Sequence, residues 1–379
     1  MNSGEYRRSP RYIWQAPEWP ALHYDLSALA APLAEVSRAQ GVLLGRLADV
    51  GMALQERASL VALTDDVVKT SAIEGEQLDV LSVRSSVARR LGVDIGALLP
   101  ANRHVDGVVD MVLDATQRCL DPLTAERLFG WHAALFPTGF GGLTRIRVGA
   151  WRNDASGPMQ VVSGPVQRQR VHFEAPPAER LSAEMDGFLE WANAATGEPA
   201  VIKAGLAHLW LVTVHPFDDG NGRIARAVGD LFLARGDGSP LRFYSLSAQI
   251  QRERKRYYEV LERTQRGDLD ATEWLTWFLS TLLRAVESAH QTLDSVLLKA
   301  RFWQRWAQTP MNERQVAMLN RVLDGFEGRL TSGQWAKLTK CSPDTALRDL
   351  QQLLAHGVLR KTEAGGRSTS YELVHGEHG

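Results

Sequence analysis

Apolar positions recur along most of this chain at the spacing of helices, and they stop doing so in two places. Over residues 26–50, Leu29, Leu33, Val36, Leu43 and Leu47 return every three or four positions or at multiples of that, which predicts a helix with one buried stripe. Pro32 falls near its beginning, where a helix starts or kinks. A second amphipathic helix is predicted over 52–73. Helices continue over 79–135, interrupted at 92–100 and restarted by Asp121-Pro122. Val105, Val108, Val109, Val112 and Leu113 mark one core-facing stripe there. His104 and His132 fall inside helical patterns and read as core or surface histidines rather than ligands. Ahead of these helices, residues 1–25, with Trp14, Pro17, Trp19 and Pro20, read as an irregular arm whose aromatics pack on something else.

The helical period first fails over 139–177. Short β-like runs appear at 147–152, 159–162 and 171–173, punctuated by Gly157-Pro158 and Ser163-Gly164-Pro165, and they predict a β-hairpin inserted in a helical protein. The second failure is the stretch from His215 to Arg226, between apolar runs at 201–214 and 224–233. Beyond a linker holding Gly236, Gly238 and Pro240, one helix carries Arg252, Arg256, Tyr257, Tyr258 and Leu261. Another, amphipathic and rich in Trp, Phe and Leu, covers 271–289 and reads as core. Residues 290–308 continue as helix into a separate unit. There helices are predicted over 312–323 and 332–338, and a third starts at Ser342-Pro343-Asp344 and stops at Gly357. Residues 358–361 and 370–374, around Gly365-Gly366, read as a two-stranded wing.

Composition alters this picture little. Hydrophobic residues at 44% and charged ones at 23% place the 379-residue chain among globular proteins with a sizeable core and two or three domains. A formal net charge of −1 points to no polyanionic partner for the molecule as a whole. Cys119 and Cys341 are the two cysteines, without metal-ligand spacing or a disulfide framework. The first residues hold no apolar segment of signal-peptide length, so the expectation is a cytoplasmic protein.

The stretch from His215 to Arg226 concentrates the chemistry. Gly220, Asn221 and Gly222 let the backbone curl so that successive N–H groups converge, and a helix N-terminus behind such a nest attracts anions. Arg223 and Arg226, three apart on that helix, share a face and offer planar cations to phosphate oxygens. Asp219 is a hard oxygen ligand of the kind Mg²⁺ takes. His215 is the group there whose ordinary pKa suits a general base. A base, a metal ligand, an anion nest and two arginines describe a site for transfer at a phosphate.

The string His-Pro-Phe-Asp-Asp-Gly-Asn-Gly-Arg-Ile-Ala-Arg over 215–226 also resembles the Fic-family signature HPFx[D/E]GNGRxxR at every fixed position. The resemblance covers a Fic-type core with a β-hairpin flap (98–289) and the inhibitory segment in an N-terminal helical region (1–97). The order helix, helix, turn, helix, hairpin over 290–379 separately resembles a linker helix with a winged helix-turn-helix, and the expected fold is mainly α. The Fic resemblance implies transfer of AMP from ATP to a Ser, Thr or Tyr hydroxyl of a target protein, with His215 as base and Mg²⁺ on Asp219. The nucleotide would be held by Gly220, Asn221, Gly222, Arg223, Arg226 and the flap residues Val161, Val162, Ser163 and Gly164. Tyr257 and Tyr258 resemble the family's Tyr-Tyr pair beside adenine and ribose. Gln265 stands where the family often has asparagine. The flap would also hold the target's extended segment by adding a strand. Thr70, Glu74 and Gly75 resemble the inhibitory motif (S/T)xxxE(G/N), whose glutamate pairs with the second motif arginine, here Arg226. Independently, Glu74 puts a carboxylate at the negative end of a helix dipole, which calls for a cationic partner unless solvent absorbs the cost; by itself that pattern favours a solvated glutamate.

Three alternatives stand beside this reading. One is a nucleotide-sensing transcriptional regulator with the winged helix as output, and intact His215 argues against it. The others are a Fic-type transferase with a different donor and an enzyme that removes AMP. In a DNA complex Thr345, Arg348, Arg360, Lys361 and Arg367 would face the duplex. Asp344, Asp349, Glu363 and Glu372 interleave with them, so homodimerisation or target docking is favoured over DNA for this unit. No membrane partner is expected, because the most apolar stretches are too short and too polar to span a bilayer.

Overall fold

The computed structural model describes residues 11–96, 98–155, 157–164, 168–195, 197–323, 325–326, 328–362 and 369–374. Helices dominate, and the chain divides into two compact units, one up to His290 and one from Gln291.

In the first unit α1 (Leu26–Ala48) carries Pro32 in its second turn, and Asp25 caps it by accepting the N–H groups of Ser27 and Ala28. The next helices are α2 (Met52–Ile73), α3 (Val80–Leu91), α4 (Arg103–Gln117) and α5 (Ala125–Leu135), the last three started by Asp79, Asn102 and Thr124 as N-caps. Among them α2 departs from the amphipathic helix its sequence predicts. Ser59, Thr64, Asp66, Thr70 and Ser71 are buried along with its apolar residues. Burial of that polar face is tolerated because other elements supply partners: Asp66 accepts from the Ser245 hydroxyl at 2.6 Å and the Ser247 N–H at 3.2 Å.

The predicted inserted hairpin is present. Strand β3 (Gln160–Ser163) pairs antiparallel with β4 (Arg170–Glu174), with a register shift between Val161 and Val162. Residues 147–152, expected as a β-run, form no strand, because the Arg152 backbone and side chain bond elsewhere. A short hairpin, β1 (Phe140–Gly141) with β2 (Thr144–Arg145), precedes them instead. The N-terminal arm docks its aromatics here: the Trp14 indole donates to the Glu174 carbonyl at 2.7 Å, and Tyr12 meets Phe173 edge-on at 5.0 Å. Trp19 donates to the Glu184 carboxylate on α6 (Leu181–Asn193) at 2.8 Å.

At the centre lies α7 (Ala200–Val214). From Val201 to Val214 every residue is buried, as a helix that is apolar around its circumference requires. It packs on α8 (Asn221–Asp237), which follows after a six-residue loop at 215–220. The remaining helices of the unit are α9 (Leu246–Arg252), α10 (Arg254–Arg266) and the first part of α11 (Thr272–Arg305). Among the described residues no helix is long and apolar enough to cross a membrane.

The second unit contains α12 (Glu313–Leu323), α13 (Ser332–Thr339) and α14 (Pro343–Ala355) around Trp335, Leu350 and Leu353. Its sheet has three strands where the sequence predicts two: β5 (Leu330–Thr331) pairs with β7 (Ser370–Leu373), which also pairs with β6 (Leu359–Lys361). A two-residue strand is too short for an alternating pattern to announce it. Asp349, read as a surface acid, is instead 2% exposed and accepts from Arg314, Asn312 and Trp335. Glu363, Gly365, Gly366 and Arg367 lie outside the described residues.

One buried ionic cluster ties together the elements that carry the site. Arg242, 2% exposed, bonds Asp230 of α8 at 2.6 Å and Asp237 at 3.1 Å. Burial and the adjacent Asp66 carboxylate push the Asp230 carboxyl well above its usual range, which couples α2 to α8. Arg242→Ala would leave buried carboxylates without their cation. We expect a loss of about 3–5 kcal/mol, read as a lower urea midpoint.

Candidate active site

His215 closes α7 in the left-handed region, with φ 52°. Its ring Nδ1 lies 3.0 Å from the Val212 carbonyl. A carbonyl only accepts, so Nδ1 carries the hydrogen and Nε2 keeps the lone pair of a base. Arg152, which the sequence reading left unassigned, holds this turn from below. Its Nε donates to the His215 carbonyl at 2.8 Å and its backbone N–H to the Pro216 carbonyl at 2.9 Å, while Nη1 meets Asp154 at 2.6 Å. Burial lowers the His215 pKa and the Arg152 charge lowers it further, against the Val212 hydrogen bond; the ring is neutral and basic near pH 7.

The loop is clamped on itself. The Asn221 side chain accepts the Phe217 N–H at 2.9 Å and donates to the Phe217 carbonyl at 2.8 Å. Both of its amide ends are spent there, so Asn221 offers a ligand its backbone N–H. Phe217, fully buried, stacks on His132 at 4.3 Å with 12° between planes. His132 is therefore the core histidine that its helical pattern suggests. Asp218 is half-buried and accepts the Arg147 N–H at 2.7 Å. Asp219 is the exposed one of the pair.

Beyond the loop, Gly220 starts α8, whose first N–H groups, at Asn221, Gly222 and Arg223, have no intrahelical acceptor. Both arginines of the pair stand on this turn. Arg226 is 2% exposed and donates from Nε to the Thr70 hydroxyl at 2.8 Å, and from Nη2 to the Thr70 carbonyl at 2.9 Å and Glu74 Oε1 at 2.7 Å. A Cβ on Gly222 would overlap Glu74 Oε1, so the carboxylate presses directly on the nest. Burial opposes ionisation of Glu74, but the Arg226 charge and hydrogen bond prevail and hold its carboxyl below the usual range. Arg223 lies over the Phe136 ring at 5.1 Å, and its Nη1 donates to Glu76 at 3.0 Å. Glu76 also pairs with His104. Neither contact was foreseen: Glu76 and His104 come from different elements, and no local pattern links them to Arg223.

The remaining candidates separate. Tyr257 is 1% exposed, packed on Trp274 and Trp277, with its hydroxyl 3.0 Å from His208 Nε2; Tyr258 is 37% exposed. The two tyrosines point about 100° apart on the helix, so Tyr257 is buried near Arg226 while Tyr258 reaches the surface. Gln265 is 3% exposed and donates to the Thr213 hydroxyl at 3.2 Å and more weakly to the Val212 carbonyl, so it braces the turn that holds His215 rather than facing an open surface. On the hairpin, Val161 is half-buried, whereas Val162, Ser163 and Gly164 are exposed. The Ser163 hydroxyl contacts His172 Nε2 at 2.6 Å, and His172 Nδ1 meets Glu262 of α10 at 2.7 Å, which fastens the hairpin to that helix.

Asp219 fits a magnesium ion of one kind. No group of three His, Cys, Asp or Glu able to hold a metal occurs among the described residues. One exposed carboxylate, with Oδ1 already accepting the Gly220 N–H at 2.6 Å, suits an ion that shares its ligands with water and substrate phosphates rather than an all-protein cage.

The buried histidines set an acid limit on this unit. Burial lowers the pKa of His132 to about 4 and that of His208 to about 3, while an unfolded histidine titrates near about 6.5. Below the unfolded value unfolding takes up protons that the folded state refuses, so stability falls as pH drops from there toward the folded values. We expect a lower urea midpoint at about pH 4.5 than at about pH 7, and a smaller loss in His132→Gln than in the parent.

Comparison with known proteins agrees with this geometry. Residues 122–233 match the Fic/DOC family, and residues 12–93 match a domain of unknown function, DUF4172. A protein adenylyltransferase Fic from Nematostella vectensis is 26% identical over 223 residues, covering 56% of this chain and 46% of the relative. Its counterpart from Aedes aegypti is 28% identical over 238 residues, covering 60% and 42%. The chain thus spans under half the length of these relatives. The crystal structure of a Fic family protein from Desulfovibrio desulfuricans G20 aligns with 94% of this chain and 98% of its own at a TM-score of 0.56 and 20% identity, a likeness of fold. Residues 122–233, which contain the His215 loop and the start of α8, thus match a Fic/DOC domain.

Proposed function

We propose that the chain transfers AMP from ATP to a Ser, Thr or Tyr hydroxyl of a target protein, and that Glu74 restrains it by occupying Arg226. The observation that carries this reading is the convergence on one helix start of a free basic nitrogen, unpaired N–H groups and two buried guanidiniums. Among the described residues Arg223 Nε and Arg226 Nη1 have no acceptor, and a Cβ on Gly222 would lie 3.2 Å from that Nη1. A triphosphate answers each of those donors. The curated relatives named protein adenylyltransferase Fic support the choice of AMP as the transferred group.

In this reading His215 Nε2 takes the proton of the acceptor hydroxyl as its oxygen bonds to the α-phosphorus. The bond from that phosphorus to the bridging oxygen breaks, and pyrophosphate leaves. The N–H groups at the start of α8 face the charge that develops on the phosphoryl oxygens. Arg223 and Arg226 hold the β- and γ-phosphates and so align the reacting centre. Magnesium held by Asp219 would neutralise phosphate charge. Tyr258 and the flap residues Val161, Val162, Ser163 and Gly164 would border the nucleotide. A target's extended segment would pair with β3, whose one described partner is β4. A reducing, cytoplasmic setting suits the unpaired Cys119 and Cys341.

Incubating a Glu74→Gly variant in lysate with α-labelled and, separately, γ-labelled ATP tests the donor chemistry. Label arriving from the α position alone means AMP transfer; label from the γ position means phosphate transfer and sinks the proposal. His215→Ala in that background is expected to retain calorimetric ATP binding and to lose about 10²–10⁴ in transfer rate. Glu74→Gly itself is expected to raise transfer about tenfold or more, the scale of a charge-assisted hydrogen bond at a partly buried site. Arg226→Ala should not reproduce that gain, since Arg226 also serves the nucleotide. Matched assays of purified parent and variants measure both effects, and a Glu74→Gly protein no faster than the parent removes the restraint from the model.

A further inference from the structure

We infer that Glu76 is a second inhibitory carboxylate, and that Glu74 and Glu76 together stand in for two phosphate groups of ATP by pairing with Arg226 and Arg223 at the same time. The inference deepens the nucleotide reading of the site and rests on it. It starts from how α2 ends. Gly75 adopts φ +88°, its N–H bonds the Ala72 carbonyl at 3.1 Å, and the Glu76 N–H bonds the Ser71 carbonyl at 3.0 Å. This pair of bonds is the Schellman termination, and it fixes the direction in which the chain leaves the helix. Both carboxylates flanking the glycine then reach α8: Glu74 Oε1 to Arg226 at 2.7 Å and Glu76 Oε2 to Arg223 at 3.0 Å.

Those arginines are three apart on α8 and face the same way. Neither can swing aside, since both side chains are almost fully buried and Arg223 rests on Phe136. The other oxygen of Glu76 meets His104 Nε2, while His104 Nδ1 faces the Leu135 carbonyl at 3.2 Å. Glu76 therefore lies between His104 and Arg223, and contact with the two holds its carboxyl below the usual range. Its carboxylate uses Arg223 Nη1, one of the donors a phosphate would take, and so competes with the ligand for the guanidinium. Replacing Glu74 alone frees Arg226 and leaves Arg223 engaged.

The rival role for Glu76 is to steady Arg223 for the nucleotide, and the two roles predict opposite signs. ATP affinity is measured by calorimetry on the full chain for the parent, Glu74→Gly, Glu76→Gln and the double variant, with adenosine as a ligand lacking phosphate. In the Glu74→Gly background, Glu76→Gln is expected to tighten ATP about threefold to tenfold, the range of a partly exposed ion pair to a buried arginine. Adenosine affinity should not change. Unchanged or weaker ATP binding overturns the inference, and so does an equal gain for adenosine, which would mark a general structural effect. Should Glu76→Gln melt early by circular dichroism, Glu76→Asn carries the same expectation. Failure of Glu74→Gly to bind ATP at all would remove the nucleotide reading together with this inference. Tight binding by Glu74→Gly with no further gain from Glu76→Gln removes the second latch alone.

Discussion

A guanidinium buried in the protein needs acceptors close at hand, and Arg226 ties α2 to α8 by that demand. Thr70 supplies two acceptors and Glu74 a third, all from the last turn of α2. The contact fixes where α2 ends against α8, and it puts a carboxylate on the N-terminus of α8, where the helix dipole and free N–H groups favour negative charge. The same interaction thus satisfies a stability requirement and fills an anion site.

Precision at His215 has a separate origin. Its turn is braced by Val212 at the ring, by Arg152 at the carbonyls of His215 and Pro216, and by Gln265 against Thr213. Asn221 locks the loop on Phe217, and His132 packs against that phenyl ring. The base nitrogen and the α8 N–H groups are therefore carried by one rigid corner rather than a pliable loop, as transfer chemistry requires. The acid sensitivity expected of His132 and His208 follows from the same burial that supplies the rigidity.

The hairpin β3–β4 is attached differently. Glu262 reaches His172 at 2.7 Å and Arg170 at 3.1 Å, and Arg266 donates to the Val171 and His172 carbonyls. These bonds are partly exposed and polar, whereas the arm docks on β4 through Tyr12 and Trp14 with apolar contact. The hairpin is fastened at its base and open at Val162, Ser163 and Gly164, an arrangement that suits an element meeting a second molecule.

What the sequence settled by itself was local. Helical spacing located the stripes of α1 and α4, the alternation of glycine with short β-like runs located the inserted hairpin, and the spacing within 215–226 placed base, nest and arginines on one corner. Each is a property of neighbouring residues, so a period or a motif suffices to read it. For Glu74 the local signal, a carboxylate at a helix C-terminus, was weak, since solvent could have absorbed it, and a distant cation was expected only through the motif resemblance. Only the tertiary structure decided which cation answers it, that polar residues along α2 are buried, and that Arg152 and Gln265 brace the turn. It also separated Tyr257, in the core, from Tyr258, at the surface, and joined Glu76 to Arg223 and His104. Those assignments depend on contacts between residues as many as 183 positions apart. No local period encodes such pairs, because they are chosen by which helices pack together and which buried charges they must satisfy.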